Sequence, residues 1–445
     1  MKIFRKSWMI LLPLAMGLAL VGIFPHEPSA VSLTFLGFVV FLGFFVHRYA
    51  AVNLEGDPRG DSFLAALTGT VWAIQGMAMT GNLGVFTLFW LLISLGLHRL
   101  LSHFRRREGS RIVAWEKFWI SRLGDLALLS ALILILMRNG SWQFSSFVAD
   151  EPVMFLIVTG VLLKSAQVPV HAWLTRTLEA PSPVSALLHA GVINAGAFLL
   201  IRLSPFWIGF TPVRFLLIAV GTLSALWGGF TLLVQSDIKR KLAWSTVGQM
   251  GFVMIELGLG APGLALIHLM GHGLYKARSF LWSGSYHPGA QPDGNQTRIL
   301  HLGLALLLWT GIGGIWEGVL GFWDPGHVLI SAIVWALLLP LVLISWEHRG
   351  QAFRSLALGT VVLTASLGLS RLAFVLWGLG EWGPVGGWVW VAGWGSFAVL
   401  AAASILAGFH QSLSRFRWFQ NAYAAALHGF GFGRWPDLLA QGVRK

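Results

Sequence analysis

Residues 152–170 read Pro-Val-Met-Phe-Leu-Ile-Val-Thr-Gly-Val-Leu-Leu-Lys164-Ser165-Ala166-Gln167-Val168-Pro169-Val, an apolar run that leads into one lysine and then a proline. A stretch this long and this apolar is a membrane-spanning helix. The proline removes a backbone donor and kinks or ends it. A charge inside such a span costs about 2.5–3.5 kcal/mol on insertion scales, so Lys164 asks for a reason. Desolvation disfavours the charged form of an ammonium, which suits a lysine in apolar surroundings to proton exchange when a carboxylate stands beside it. The plainer reading is a lysine that snorkels to the interface.

The rest of the chain agrees with that first stretch. Its 445 residues are 56% hydrophobic and only 11% charged. A soluble protein of this length needs more charge to cover itself, so lipid is the solvent for most of this one. Cysteine is absent, which excludes disulfides, thiolate metal sites and cysteine nucleophiles. The 23 Trp and 53 Gly suit interfacial anchoring and close helix packing. Spans of ~20 apolar residues number about 14. They fall roughly at 8–24, 30–47, 63–80, 82–101, 118–137, 152–170, 182–203, 213–235, 243–260, 262–284, 301–321, 327–345, 356–378 and 386–408. The expectation is an all-α polytopic membrane protein.

The net charge of +13 is a topology signal rather than a nucleic-acid footprint. Sorted by helix parity, nearly all Lys and Arg fall on the N-terminal side, including Arg105, Arg106, Arg107 and Lys239 to Lys241, while Arg138, Arg202 and Arg214 fall opposite. The positive-inside rule then puts both termini in the cytoplasm of a bacterial inner membrane. Lys2, Arg5 and Lys6 before an apolar run resemble a secretory signal; a retained first helix preserves the even count. Arg105 to Arg107 are also a candidate docking patch for an acidic partner.

Four blocks organise the chain: N-terminal helices (1–110), a first half around Lys164 (111–235), a second half (236–355), and C-terminal helices with an amphipathic tail (356–445). The break at Pro169 has a counterpart in the eleventh span, where Gly311, Gly313 and Gly314 precede Glu317. Paired interruptions of this kind point to inverted repeats with ion sites near the midplane.

Other polar residues lie inside apolar spans. Asp125 is a candidate carboxylate for Lys164, or else a local partner of Arg122 at i−3. His189 follows one helix later. His268, His272 and Lys276 recur at i, i+4 and i+8 and share one face. The i, i+4 spacing also suits a metal pair, but no Glu completes a His-Glu-x-x-His pattern, so a proton relay fits better. Lys239 is either a relay member or part of the topology cluster. Glu317 is a candidate second-half site, or an acid at the far interface. Glu256 and Arg371 carry no assigned role.

Several of these residues sit in long motifs. Lys164-Ser-Ala-Gln-Val-Pro-Val-His-Ala-Trp-Leu, Ala180-Pro-Ser-Pro-Val-Ser-Ala-Leu-Leu-His189-Ala, Asp237-Ile-Lys-Arg-Lys-Leu-Ala-Trp-Ser-Thr-Val-Gly-Gln-Met-Gly and His268-Leu-Met-Gly-His272-Gly-Leu-Tyr-Lys276-Ala occur in that order. Over roughly 40–320 the chain resembles the antiporter-like subunits of respiratory complex I and of Mrp antiporters. The resemblance implies that Lys164 is the central proton-carrying lysine of the first half-channel, and that His189, His268 and His272 belong to a connecting polar axis.

The departures from that family narrow the reading. Its fourth-helix Trp-Glu is Trp90-Leu91 here, so the usual acid partner of the lysine is missing and Asp125 is the first substitute. A second-half lysine is missing near Glu317, the long lateral helix has no counterpart, and the N-terminus is shorter by about one helix. These differences resemble the DabB-type branch, membrane partners of the soluble zinc protein DabA. What this implies is a non-enzymatic subunit that conducts protons or sodium and energises CO2 hydration to bicarbonate by a DabA-like cytoplasmic partner. Zinc would belong to that partner, with no cofactor in this chain. The alternatives are a subunit of a complex I-like NADH dehydrogenase or Mrp-type antiporter, and a passive membrane anchor for a soluble enzyme.

Overall fold

A computed structural model describes residues 29–103, 108–177, 180–283 and 387–408, with a few isolated positions beside them. Nearly all of these residues are helical. The longer helices are α1 (Ala30–Asn53), α2 (Gly60–Met79), α3 (Leu83–Leu101), α4 (Glu108–Asn139), α5 (Glu151–Lys164), α6 (Ser182–Ala190), α7 (Ala195–Arg202), α8 (Thr211–Val234), α9 (Ile238–Leu259), α10 (Pro262–Trp282) and α11 (Gly387–Gly408). Among the described residues, 7 helical stretches are long and apolar enough to cross a membrane. The spans expected between 301 and 378, with Gly313, Gly314 and Glu317, lie outside the described residues, as do most of the first span and Arg105, Arg106 and Arg107.

Local chemistry sets the helix ends. The side chains of Asn82, Asp150 and Asp237 accept from the backbone N–H groups of Val85, Val153 and Arg240 and so cap α3, α5 and α9. Gly260, at φ +90°, closes α9 in the left-handed conformation that glycine adopts without penalty.

Two expected spans are interrupted. Helix α5 stops at Lys164, and the chain turns through Ala166 and Pro169 to a single helical turn, Ala172–Thr175. The donor freed at Val168 is not wasted, because its N–H reaches Ser224 Oγ on α8 at 3.0 Å. Irregular backbone at membrane depth survives only when other protein groups satisfy it in this way. The 182–203 span also breaks, at Gly191, where Asn194 Nδ2 donates to Ala190 O at 2.6 Å.

Small residues decide which helices come close. A Cβ on Gly228 would stand 2.5 Å from Gly248 N, and one on Gly221 would stand 2.5 Å from Gly251 O. Helices α8 and α9 therefore pack backbone to backbone, which accounts for part of the high glycine content. Gly124 and Gly160 do the same for α4 and α5: a Cβ on Gly160 would lie 3.0 Å from Gly124 O, and one on Gly124 would lie 2.7 Å from Lys164 Cγ. That contact brings Asp125 against the end of α5. The outer side of α4 shows Trp119, Leu123, Leu126, Leu129, Ile133 and Leu136 exposed. A stripe of this composition suits acyl chains.

Candidate functional site: two buried polar clusters

The first cluster joins α3, α4 and α5. The Lys164 ammonium, at the last residue of α5, is paired with Asp125 Oδ1 on α4, and its side chain is 4% exposed. The other oxygen, Oδ2, forms an ion pair with Arg122 Nη2 at 2.7 Å. Both readings of Asp125 therefore hold at once: it is the local partner of Arg122 and the carboxylate beside Lys164. Lys164 Nζ also lies 4.4 Å from the centre of the Trp90 ring, a cation–π distance.

Ser94 extends this cluster along α3. Its hydroxyl accepts from Arg122 Nη2 at 3.1 Å and from Lys117 Nζ at 2.9 Å, and its carbonyl accepts a second bond from Lys117 at 2.9 Å. Lys117 is buried. Next to it, Glu116 faces Arg176 at 3.5 Å, tying α4 to the turn after the α5 break.

The second cluster centres on α9. Three successive residues, Trp244, Ser245 and Thr246, each touch a different polar group. Trp244 packs on the His171 ring at 5.0 Å, Ser245 accepts from the Lys276 ammonium, and Thr246 Oγ1 is 3.0 Å from His189 Nδ1. Lys276 also donates to Leu242 O at 2.7 Å. His189 stacks on Phe280 at 4.3 Å, so its ring plane is fixed. One helical turn from Lys276, His272 is buried, and neither ring nitrogen is bonded to any of the described residues. A further turn on, His268 is held between Glu256 Oε1 and Gln249 Oε1, each at 2.7 Å.

Lys164 and Asp125 are thus brought together, as are His189, His268, His272 and Lys276 around α9. Lys239 stands apart from both groups, in the first turn of α9. Among the described residues, no group of three or more His, Asp or Glu is arranged to hold a metal ion.

Some members of these clusters escaped the sequence reading. Lys117 was absorbed by the topology rule, although it repeats at 117, 121 and 125 with Ser121 and Asp125. Glu256 and Gln249 are seven residues apart, hence two turns along one face of α9. That spacing was the available signal.

The comparisons with known proteins follow the same residues. The family described as NADH:quinone oxidoreductase/Mrp antiporter, transmembrane, matches residues 80–304, half of the chain. A protein of Halothiobacillus neapolitanus named probable inorganic carbon transporter subunit DabB2 is 40% identical over 287 residues, which are 62% of this chain and 51% of that protein. The probable inorganic carbon transporter subunit DabB of Bacillus subtilis is 33% identical over 384 residues, covering 80% of this chain and 72% of that protein. A chain of the Mrp complex from Dietzia superposes with a TM-score of 0.58 at 22% identity, over 96% of this chain and 49% of that one, and so shares its fold. The chain spans about half the length of the Halothiobacillus protein and of the Mrp chain. By the family model and by the extent of the Bacillus match, this multi-pass membrane protein belongs to the NADH:quinone oxidoreductase/Mrp antiporter family, and within it is DabB-like.

Proposed function

We propose that this chain is an ion-conducting, non-catalytic subunit that energises inorganic-carbon accumulation by a soluble, DabA-like zinc partner on the cytoplasmic face of the inner membrane. One observation carries the reading: a buried ammonium, Lys164, paired with a single carboxylate at a broken helix. Names of DabB-like relatives as inorganic carbon transporter subunits supply the substrate class.

The chemistry needs an ion path. Hydration of CO2 yields bicarbonate and a proton, and carrying that proton along a gradient makes the reaction run one way. In this reading Lys164 gives up its pairing with Asp125, delivers a proton past the break toward His171 and the α9 cluster, and recovers one from the Lys117 end. The zinc and its bound water belong to the partner. The charge asymmetry of the sequence supports a cytoplasmic position for both termini.

The test is growth in air of a strain lacking carbonic anhydrase and carrying this chain with its partner. Wild type is expected to restore growth and Lys164→Ala to lose it at equal membrane abundance. Growth that survives Lys164→Ala sinks the role of Lys164. Co-purification with several further membrane subunits, and no carbon phenotype, supports an Mrp or NADH dehydrogenase assembly instead.

A further inference from the structure

Helices α9 and α10 are antiparallel neighbours joined through Gly260 and Ala261, so the end of α9 faces the start of α10. There Gln249 and Glu256 bracket one imidazole. We propose that Glu256, His268 and Gln249 form a proton-binding site, and that the ion held on this pair of helices is a proton rather than a metal cation. This rests on the reading of the chain as an ion-conducting subunit and names the ion that reading leaves open.

Both ring nitrogens of His268 lie 2.7 Å from a side-chain oxygen, Nδ1 from Glu256 and Nε2 from Gln249. Two acceptors call for two N–H donors, and only the protonated ring has both. A neutral ring is also accommodated. If Nε2 loses its proton, the Gln249 amide turns over and presents its NH2 group to the bare nitrogen, while Nδ1–H stays on Glu256. The gain or loss of one proton at Nε2 therefore strands neither ring nitrogen nor the oxygen or amide group facing it, in either state. The loaded site is a neutral carboxylate–imidazolium pair, and the unloaded site carries the Glu256 charge alone.

A metal cation fits the same place poorly. Glu256 Oε1 and Gln249 Oε1 are each taken by a ring nitrogen with the ring between them, and Glu256 Oε2 alone is too few ligands for a cation. Glu256 Oε2 is buried and has no hydrogen-bond partner among the described residues, so the carboxylate keeps one face for a further donor. His272 lies one turn along, its ring centre 6.4 Å from that of His268 and its nitrogens unbonded among the described residues, and Lys276 lies one turn beyond. The α10 face thus runs from His268, paired with the Glu256 carboxylate of α9, through His272 to the Lys276 ammonium.

The experiment uses the full chain with its partner in lipid vesicles, labelled with 15N-histidine, and His268→Gln to assign the His268 signals. At neutral pH the wild type is expected to show both His268 nitrogens protonated, and Glu256→Gln to show a neutral ring. Proton flux, read with an internal pH dye, is expected to fall about tenfold or more in Glu256→Gln, equivalent to about 1.4 kcal/mol in barrier, with 22Na uptake absent from wild type. A neutral His268 ring that ignores Glu256→Gln overturns the site, as does unchanged flux or wild-type sodium uptake blocked by Glu256→Gln. Loss of air growth in Lys164→Ala alongside normal growth in Glu256→Gln removes this site and spares the functional reading. A carbon-independent complex with the imidazolium signature intact does the reverse.

Discussion

Asp125→Asn is the most informative single change. In the wild type one carboxylate serves two cations, Lys164 through Oδ1 and Arg122 through Oδ2. Arg122 is 24% exposed and keeps its bond to Ser94 Oγ at 3.1 Å, so it tolerates the loss. Lys164, 4% exposed, does not: it is left with the Trp90 ring and no acid. Breaking a buried ion pair by removing one partner costs about 3–5 kcal/mol, because the other charge remains desolvated. Asp125→Asn is therefore expected to destabilise the protein by about that amount unless Lys164 sheds its proton, and in either case to abolish its ion flux. Adding Lys164→Met should return most of the stability, since it removes the stranded charge while the amide oxygen introduced at position 125 stays available to Arg122, but none of the flux. The assay is unfolding of the purified chain in detergent alongside flux in vesicles. An Asp125→Asn protein as stable and as active as wild type refutes the argument, as does a double variant less stable than the single one.

Three further outcomes are expected. Ser224→Ala strands the Val168 N–H and should cost about 1–3 kcal/mol in the same unfolding assay, the penalty for a buried unsatisfied donor. Gly228→Val forces a Cβ to within 2.5 Å of the Gly248 backbone, so it should cut the yield of folded protein, whereas the same change at Gly229, which has nothing within 4 Å among the described residues, should not. Outside the membrane, the His103 ring bonded to Asp57 holds that carboxyl below its ordinary value, helped by the Arg59 N–H. A depressed carboxyl stabilises the fold above its unfolded pKa of about 3.9 and loses that contribution as pH falls through the lower folded value. Asp57→Asn should then melt below wild type at pH 7, and the two should converge in acid.

Much of this fold was legible because lipid imposes long apolar runs and the breaks fall at residues that cannot continue a helix. Pro169 and Gly260 mark their interruptions plainly. The break at Gly191 did not show, since Ala, Leu, Val and Ile continue on both sides of it and only the Asn194 side chain betrays the interrupted ladder. At the site, Lys164 stood out because a lone charge in an apolar run has no ordinary explanation. Lys117 was missed for the opposite reason: in a basic segment, the topology rule explains a lysine without asking where its ammonium goes. Glu256 looked isolated in sequence because its partner, His268, is on the next helix.

The position of the acid gives the first cluster its character. A glutamate at position 91 would bring the partner charge from α3, beside Trp90, and leave Asp125 to Arg122. With Leu91 in that place, one Asp serves both Arg122 and Lys164. Lys117, bonded to Ser94, adds a third cation to the same network. A shared carboxylate holds each cation less firmly than a dedicated one, because its two oxygens are divided between them. In the proposed reading this loosened grip is what lets Lys164 leave Asp125 without exposing an unpaired acid, since Arg122 still neutralises it. Arg122→Gln should therefore slow flux more than Lys117→Gln does, by leaving Asp125 uncompensated whenever Lys164 moves away. Equal flux in the two variants would mean that Arg122 serves only to hold α4 against Ser94.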